Sequence, residues 1–488
     1  MKHQLWRGEW KMDRKMLTLR NLYRQVLPSH GDRTAIVFEG QTVTYDTLRR
    51  SALRVANALV RYGIGPNKRV ALIMSNCPEY VISDLGVIFA GGTKVPLNDM
   101  LGKKEIAYIL KDSGAKLAIV GPNFFDIIQR VRNNLPELET IVGVAPAEQC
   151  PEPFIPWNAF LDEGSETDVE VDVSPEDMSL IAYTGGTTGL PKGVVHSQEN
   201  MVLNLFSHVI ELGLQDDERI LLTSPLPHSA GVVLLAGLIK GAVHFIERKF
   251  DPQLVIDRIE QDKVTLTFMV PTMIYRVMDQ IGGRKYDFSS LRTILYGASS
   301  ITVERLIQGL EIFGQVFMQL YGQTEAPNFI TRLKKEDHRV DPDGIHRLRS
   351  CGKPVAMSEV KIVDEQGNEV PRGEEGEIVA RTFYTMVGYH NQPEKTAETL
   401  RNGWLYTGDV GMMDEEGYVY LLDRKKDMII SGGMNVYSVE VENAINRHPG
   451  VAQVAVIGVP HPDWGEAVMA FVVPKPGMEG TKESIFEH

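Results

Sequence analysis

Two stretches of this chain alternate apolar runs with amphipathic runs, and this alternation limits the fold more than any other feature. The first begins at Thr44, which precedes apolar residues at helical spacing, and Gly63 is placed to end that helix. After it come, in order, a strand-like run at 69–76, a helical run at 78–91, a strand-like run at 94–98, a helical run at 103–114 and a strand-like run at 116–120. Because alternating strands and helices form parallel sheets with crossover helices, the pattern predicts an α/β fold.

The same alternation of strand-like and helical runs returns in the middle of the chain, and a different sequence pattern follows it. From about Lys353, period-two runs separated by Gly and acidic turns predict small antiparallel sheets. A compact last unit, with one helix-like and two strand-like runs, begins near Asp423. We therefore expect a large N-terminal domain at 1–422, made of parallel and mixed sheets with flanking helices and a small β subdomain. A small, mobile α+β domain is expected at 423–488.

Length and charge restrict the function. A chain of 488 residues is too long for one growing core, so two or more domains are expected. The net charge of −13, without a basic tract, argues against nucleic acid as a partner. The three cysteines have no paired spacing, the N-terminus lacks the apolar run of a secretory signal, and the apolar run 230–239 is too short to span a bilayer. These features favour a soluble, cytoplasmic protein, either a monomer or a homodimer.

The segment 183–193, YTGGTTGLPKG, combines four glycines, three threonines and Lys192. Glycine allows backbone amides to face an anion, and the hydroxyls and the ammonium group suit phosphate. A Walker-type loop is excluded because Gly-Lys followed by Ser or Thr is missing. The other interpretation is an ordinary Gly/Thr turn. The chemistry favours a polyphosphate site of another architecture.

Three further clusters carry polar groups in short runs. They are YGQTEA at 321–326, YTGD at 406–409 and DRKKDMIISGGMNVYSVEVE at 423–442. Each alone is also compatible with an ordinary turn. Together and in this order they resemble the adenylate-forming superfamily, which contains acyl-CoA synthetases, luciferases and adenylation domains of peptide synthetases. The resemblance runs from TYDTL at 44–48 to GVPHPDWGE at 458–466.

The resemblance implies residue roles. Thr184, Thr187, Thr188 and Lys192 would lie near the β- and γ-phosphates of ATP, Tyr321 would stack on adenine, Thr324 would bond the α-phosphate, and Glu325 would bind Mg²⁺. Asp409 would bind both ribose hydroxyls, with Arg424 as a second ribose contact. The implied ATP and AMP contacts are Thr184, Gly185, Gly186, Thr187, Thr188, Gly189, Lys192, Gly297, Ala298, Ser299, Tyr321, Gly322, Gln323, Thr324, Asp409 and Arg424; the implied catalytic residues are Thr184, Lys192, Thr324 and Glu325. Gly185 departs from the serine of many relatives, with little loss expected.

The acyl pocket would follow the segment PLPHSAG at 225–231. His228 is the candidate gate, and the other interpretation is a structural histidine; no second ligand at metal spacing supports zinc. The implied pocket residues are His228, Ser229, Gly297, Ala298 and Gly322. Nothing charged interrupts 228–239, so an apolar pocket for a fatty or aromatic acid without an α-amine is expected.

The C-terminal unit would swing about Asp423, and Gly432 and Gly433 would line a tunnel for coenzyme A. The other interpretation of 423–424 is an ordinary surface turn. In the family this unit continues past the FVVPKPG at 471–477 to a lysine that assists adenylation, and Lys482 stands in a different context. We therefore expect the unit to be truncated and the chain to form the adenylate slowly.

The implied activity is that of an AMP-forming acyl-CoA synthetase that uses ATP, Mg²⁺ and coenzyme A. No side-chain nucleophile is needed, because positioning and charge neutralisation supply the catalysis. Three alternatives stay open: an acyl-AMP ligase that serves a carrier protein, a binding protein for ATP and acyl-adenylate with little turnover, and a luciferase-type oxygenase on the same fold.

Overall fold

The computed structural model describes residues 14–186, 189–299, 301–431, 434–462, 464–475 and 482–487. Within them the α-helices are α1 Leu19–Val26, α2 Tyr45–Arg61, α3 Pro78–Phe89, α4 Lys103–Ser113, α5 Phe125–Val131, α6 Trp157–Asp162, α7 Gln198–Leu212, α8 Ser229–Lys240, α9 Pro252–Gln261, α10 Pro271–Ile281, α11 Val303–Phe313, α12 Pro393–Thr399, α13 Ser438–Asn446 and α14 Lys482–Glu487. None of these helices is long and apolar enough to cross a membrane.

The strands of the same residues are β1 Thr34–Phe38, β2 Gln41–Thr44, β3 Arg69–Ile73, β4 Thr93–Leu97, β5 Leu117–Val120, β6 Thr140–Gly143, β7 Ile155–Pro156, β8 Met178–Gly186, β9 Gly189–Ser197, β10 Arg219–Leu222, β11 Val243–Ile246, β12 Leu266–Met269, β13 Thr293–Tyr296, β14 Phe317–Gln323, β15 Ala326–Leu333, β16 Lys353–Pro354, β17 Ser358–Val363, β18 Glu375–Thr382, β19 Gly388–Tyr389, β20 Leu400–Arg401, β21 Trp404–Met413, β22 Val419–Arg424, β23 Ile429–Ser431, β24 Met434–Val436, β25 Val451–His461 and β26 Gly465–Pro474.

Two large mixed sheets organise the first part of the chain. One has the order β16-β15-β14-β13-β12-β10-β11-β1-β2, and its strands β10 to β14 are parallel. The other has the order β19-β9-β8-β4-β3-β5-β6-β7 and is parallel from β8 through β7. The α/β fold predicted from the alternation is therefore confirmed.

Two smaller antiparallel sheets follow. The first has the order β17-β18-β21-β20, with β22 paired to β21, and it corresponds to the predicted β subdomain. The second, of order β24-β23-β26-β25, packs with α13 in the last part of the chain. The period-two pattern after Lys353, which predicts antiparallel sheets, is thus confirmed.

Helices α2 and α3 fill the space between the two large sheets. The Thr44 side chain accepts a hydrogen bond from the Thr47 amide, as expected of an N-cap, and Gly63 follows the helix with φ +74°. Gly86 allows the two helices to approach, because a Cβ there would lie 2.3 Å from the Val55 Cγ1 atom. Side chains from both helices and both sheets form one buried cluster.

Two motifs that the sequence presents as loops lie instead in strands. Residues 183–186 lie at the end of β8, 189–193 lie at the start of β9, and 406–409 lies inside β21. A strand is recognised in a sequence by side chains that alternate between apolar and polar, and glycine has no side chain to show this alternation. The hydrogen bonds between strands are made by backbone groups alone, so glycine-rich segments can still pair. Side-chain patterning therefore misses such strands.

Candidate active site

The 183–193 segment presents two of its predicted residues across one strand pair. Thr184 on β8 pairs directly with Lys192 on β9, and Gly186, the last residue of β8, pairs with Gly189, the first residue of β9. Gly185 continues β8. Thr187 and Thr188, predicted as phosphate contacts, lie outside the described residues. The hairpin brings a hydroxyl and an ammonium group to the same end of the eight-stranded sheet.

Tyr389, which belongs to none of the sequence motifs, contacts both Lys192 and Glu325. The Lys192 Nζ atom lies 4.2 Å from the centroid of the Tyr389 ring. The Tyr389 hydroxyl donates a hydrogen bond of 2.6 Å to Glu325 Oε1. Burial lowers the pKa of Lys192, while the nearby Glu325 carboxylate opposes that shift. A cationic and an anionic group thus face one region from two different sheets.

The turn that carries Thr324 and Glu325 joins β14 to β15 and is fixed from both sides. His196 on β9 donates from Nε2 to the Thr324 carbonyl oxygen at 2.8 Å, and the Met386 amide donates to the Glu325 carbonyl oxygen at 2.8 Å. Burial lowers the pKa of His196 to about 4, so this ring is neutral at pH 7. The turn is therefore held against the strand that bears Lys192.

Asp409 lies at the other end of the site, buried on β21. Its Oδ2 atom accepts hydrogen bonds of 2.7 Å from the Tyr321 hydroxyl and of 2.7 Å from Gln323 Nε2. Its Oδ1 atom lies 3.5 Å from Nε of Arg424, its cross-strand partner on β22. Burial raises the pKa of Asp409, and these donors and Arg424 oppose the rise. The predicted adenine and ribose residues therefore form one cluster.

The loop after β13 runs close to β14. A Cβ on Gly297 would lie 2.5 Å from the Leu320 carbonyl oxygen, so no side chain fits there. Ala298 has φ +67°, a left-handed conformation that is strained for a residue with a Cβ. Ala298 and Ser299 are exposed. Such strain in a loop beyond a parallel strand is typical of a ligand site.

The predicted acyl-pocket residues lie where β10 leads into α8. His228 occupies the N-cap position of α8 without a side-chain capping hydrogen bond, and the Asn98 side-chain amide donates to its Nε2 atom at 2.8 Å. Ser229 donates from Oγ to Asn328 Oδ1 at 2.7 Å. The amide nitrogen of Asn328 in turn contacts Nε2 of His208 at 2.8 Å. These contacts link the first turn of α8 to β15 and to α7.

The side chains of Ser229, Asn328 and His208 are uncharged and form a chain of hydrogen bonds. Burial lowers the pKa of His228, and the nearby Asp99 carboxylate opposes that shift. Burial lowers the pKa of His208 to about 4, and its Nδ1 atom donates to the Asn204 carbonyl oxygen at 2.7 Å. Gly322 passes so close to Asn328 that a Cβ would lie 2.6 Å from that residue's carbonyl carbon. Asn98, His208 and Asn328 were not predicted, because each acts through a partner distant in sequence.

Asp423, the predicted hinge residue, caps a helix. Its carboxylate accepts from the Ser438 amide and, at 3.2 Å, from the Ser438 hydroxyl at the start of α13. It also accepts from the Arg424 amide at 2.7 Å. Because Asp423 is buried, it is not an ordinary surface-turn residue. Gly432 and Gly433, predicted to line the tunnel, lie outside the described residues.

Glu325 fits the Mg²⁺ role that the resemblance implies. Tyr389 occupies only one of its carboxylate oxygens. Among the described residues no group of three or more His, Cys, Asp or Glu side chains is arranged to hold a metal ion. Mg²⁺ commonly takes one or two carboxylates and completes its shell with water and substrate phosphates. A single free carboxylate oxygen on Glu325, near the lysine that the resemblance assigns to phosphate, matches that donor set.

Comparison with known proteins agrees with this geometry. A family model described as AMP-binding enzyme matches residues 23–390, and a model for the AMP-binding enzyme C-terminal domain matches 440–488. The chain is 39% identical over 446 residues to a feruloyl-CoA synthase of Amycolatopsis sp., covering 91% of this chain and 86% of that protein. It is 35% identical over 449 residues to the medium/long-chain-fatty-acid–CoA ligase FadD8 of Mycobacterium tuberculosis, covering 90% and 77%.

A solved structure gives the same result in three dimensions. The amide bond synthetase McbA from Marinactinospora thermotolerans superimposes with a TM-score of 0.85 at 31% identity, covering 96% of this chain and 91% of that one. Both family models, the relatives and the site geometry point the same way. The chain belongs to the AMP-binding enzyme family, the adenylate-forming superfamily that its motifs resemble.

Proposed function

We propose that this enzyme is an AMP-forming acyl-CoA synthetase that activates a fatty or aromatic carboxylic acid. One observation carries the proposal, which is that two groups of residues flank the Thr324 turn. The buried Asp409 cluster suits a nucleoside, and Lys192 and Glu325, which both contact Tyr389, suit Mg-polyphosphate. Relatives named for feruloyl and fatty-acid CoA ligation support the acid–thiol ligase reaction.

The reaction requires two displacements. A carboxylate oxygen of the acid attacks the α-phosphorus of ATP, the bond to the bridging oxygen breaks, and pyrophosphate leaves. The thiol of coenzyme A then attacks the acyl carbonyl of the adenylate, loses its proton, and AMP leaves. Both reactants of the first step are anions, so positioning and charge neutralisation lower its barrier. Bound Mg²⁺ supplies part of that neutralisation.

Different residues of the chain bind different parts of ATP. Lys192 and Thr184, with Thr187 and Thr188, hold the β- and γ-phosphates, and Thr324 bonds the α-phosphate. Asp409 accepts hydrogen bonds from the two ribose hydroxyls. These bonds are strong because the accepting carboxylate is ionised. Arg424, whose side chain is 67% exposed, is free to bend towards the ribose as well.

The acid class follows from the groups around His228. His208, Asn328 and Ser229 form a neutral network, and His208 stays uncharged at pH 7. A substrate ammonium group beside Ser229, Asn328 and His208 would find no carboxylate among these three, since the Asp99 carboxylate acts on the His228 ring instead. Burying an unpaired charge there is costly. We infer an acid without an α-amine, entering past His228 towards Gly297 and Gly322.

The division of the chain at residue 423 belongs to the same proposal. Residues 1–422 would form the nucleotide and acid sites, and 423–488 would rotate about Asp423 between the two half-reactions. The contacts of Asp423 with both β22 and the start of α13 support a pivot at this position. Gly432 and Gly433 would then border the path of the thiol.

The test is product analysis by mass spectrometry with Mg-ATP, coenzyme A and a graded panel of acids. The panel runs from acetate to long-chain fatty acids and includes benzoates and cinnamates, with Lys192→Met as the matched inactive control. Acyl-CoA together with AMP supports the proposal and identifies the acid class. Acyl-adenylate without thioester, even with coenzyme A in excess, would assign the enzyme to a carrier-directed ligase. No product with any acid would contradict the proposal.

A further inference from the structure

Tyr389 occupies a position between the two charged groups of the phosphate end. Its hydroxyl donates to Glu325, and its ring face carries the Lys192 ammonium group 4.2 Å from the centroid. The residue is 7% exposed. One side chain therefore contacts both the group proposed to bind Mg²⁺ and the group proposed to bind phosphate.

The backbone around Tyr389 leaves it little freedom. Tyr389 pairs with Val194, two residues after Lys192, where β19 adds to the edge of β9. The Tyr389 amide donates to Thr396 Oγ1 at 2.9 Å, and that hydroxyl donates to the Gln392 carbonyl oxygen at 2.9 Å. The position of the ring relative to Lys192 is thus set by a sheet register.

Without a spacer, Lys192 and Glu325 would be expected to pair. Opposite charges that are partly buried attract strongly, because the local dielectric is lower than that of water. A direct ion pair would use the ammonium group that phosphate needs and the carboxylate that Mg²⁺ needs. Within the described part of the chain no ion pair joins these two residues; the Tyr389 ring and hydroxyl each contact one of them instead.

We propose that Tyr389 is a positioning residue that keeps Lys192 and Glu325 apart, so that each stays available for its own substrate group. The hydroxyl takes one Glu325 oxygen and leaves the other for the metal. The ring face holds the ammonium group by a cation–π contact, which is weaker than a phosphate contact and is exchanged when ATP binds. This inference rests on the proposed function for the roles of Lys192 and Glu325.

Two substitutions separate the two contacts. Tyr389→Phe removes the hydroxyl that fixes the orientation of the Glu325 carboxylate and keeps the ring. Metal affinity should therefore fall, because the free carboxylate oxygen is no longer held in place, while nucleotide affinity without metal stays as in the wild type. Tyr389→Leu removes both, so Lys192 and Glu325 can pair and both affinities should fall. A hydrogen bond to a charged group corresponds to roughly a tenfold to hundredfold change in affinity. In the double variant Tyr389→Leu/Glu325→Gln, the Glu325 carboxylate that competes with phosphate for Lys192 is gone. Nucleotide binding without metal should therefore be restored.

Tyr418→Phe is a matched control outside the site. The Tyr418 hydroxyl donates to Asp337 Oδ1 at 2.7 Å, and Lys353 Nζ lies 4.3 Å from its ring centroid. Tyr418 is also buried. It therefore reproduces the chemistry of Tyr389 at a distance from the nucleotide residues, and its substitution should change stability without changing either affinity.

Binding is measured without turnover. Mn²⁺ affinity is read by electron paramagnetic resonance in the presence of α,β-methylene-ATP, and binding of the same analogue in EDTA is read by calorimetry. Circular dichroism confirms that each variant is folded. Unchanged affinities in both Tyr389 variants, or a Leu defect that Glu325→Gln does not relieve, would overturn the proposal. If these shifts appear and the wild type forms no acyl-CoA, only the proposed function fails.

Discussion

At the scale of single residues, Asp409 shows how a binding group is kept ready at a cost in stability. The carboxylate is buried among donors, and burial raises its pKa because the charged form loses water. A carboxyl group with a raised folded-state pKa stabilises the fold at low pH, and this stabilisation is lost as pH rises through that pKa. At neutral pH, where the group is ionised, this low-pH stabilisation is absent.

Replacing Asp409 with Asn should separate binding from stability. We expect ATP affinity to fall by about tenfold to hundredfold, since hydrogen bonds to a charged group contribute about 1.5–3 kcal/mol. The unfolding temperature of the ligand-free protein at pH 7.5 should stay the same or rise, because the buried charge is gone. Titration calorimetry and differential scanning fluorimetry measure the two quantities.

Asp414→Asn provides the control in the same β21–β22 hairpin. Asp414 accepts from the Tyr418 amide at 2.8 Å and from the Tyr420 hydroxyl at 3.0 Å. It makes comparable hydrogen bonds outside the Asp409 cluster, so its loss should lower stability and leave ATP affinity intact. An Asp409→Asn variant that binds ATP normally would remove Asp409 from the ribose site.

At the scale of secondary-structure elements, local signals predicted the helices better than the strands. Thr44 and Gly63 mark the ends of α2 because caps are made within a few residues. The β8–β9 hairpin and the strand around 406–409 were missed, since glycine-rich strands have no side-chain alternation. The residues in short motifs, such as Lys192 and Glu325, could be named from sequence.

Tyr389 could not be named, because its role depends on contacts far along the chain. Its partners Lys192 and Glu325 are brought to it by the pairing of β19 with β9 and by the β14–β15 turn. A tyrosine beside a turn has no distinctive pattern before that pairing is known. The same reason explains why Asn98 and Asn328 were missed.

The cap on α13 gives a prediction for this element. Replacing Asp423 with Ala removes the acceptor for the Ser438 amide and hydroxyl, and loss of a helix cap costs about 0.5–2 kcal/mol. We expect faster amide hydrogen exchange and faster proteolysis in 434–475, with the two large sheets unaffected. Hydrogen-exchange mass spectrometry measures this difference by segment.

Asp251→Ala is the comparable change in the large sheets. Asp251 caps α9 through a 2.8 Å hydrogen bond from the Leu254 amide. Its loss should raise exchange around α9 and leave 434–475 as in the wild type. Equal exchange of 434–475 in the Asp423→Ala variant and the wild type would show that Asp423 does not hold α13.

At the scale of the whole molecule, buried histidines make the fold sensitive to acid. Burial lowers the pKa of His196, His208, His244 and His338 to about 4 each. The unfolded chain binds protons at these groups near pH 6.5, so their stabilisation is complete above that pH and is lost as pH falls towards 4. Each histidine should cost about 2 kcal/mol of unfolding free energy between pH 7 and pH 5.

This dependence is checked by urea unfolding at pH 7 and pH 5. The urea concentration at the unfolding midpoint should be much lower at pH 5 than at pH 7. His338→Gln should reduce the difference in unfolding free energy between the two pH values by about 2 kcal/mol, the contribution of one histidine. The exposed His346→Gln is the control and should leave the difference unchanged. A His338→Gln protein that keeps the full wild-type difference would exclude this histidine as a source of acid sensitivity.

The register of β21 against β22 has a consequence for how this sequence can vary. Asp409 lies opposite Arg424, and the neighbouring pair joins Val410 to Asp423. Adjacent residues of a strand point to opposite faces, so inserting or deleting one residue within 419–424 would exchange the faces of Asp423 and Arg424. Length changes in this strand should therefore be selected against far more strongly than point substitutions. Insertions would instead accumulate at 415–417, in the turn that joins the two strands.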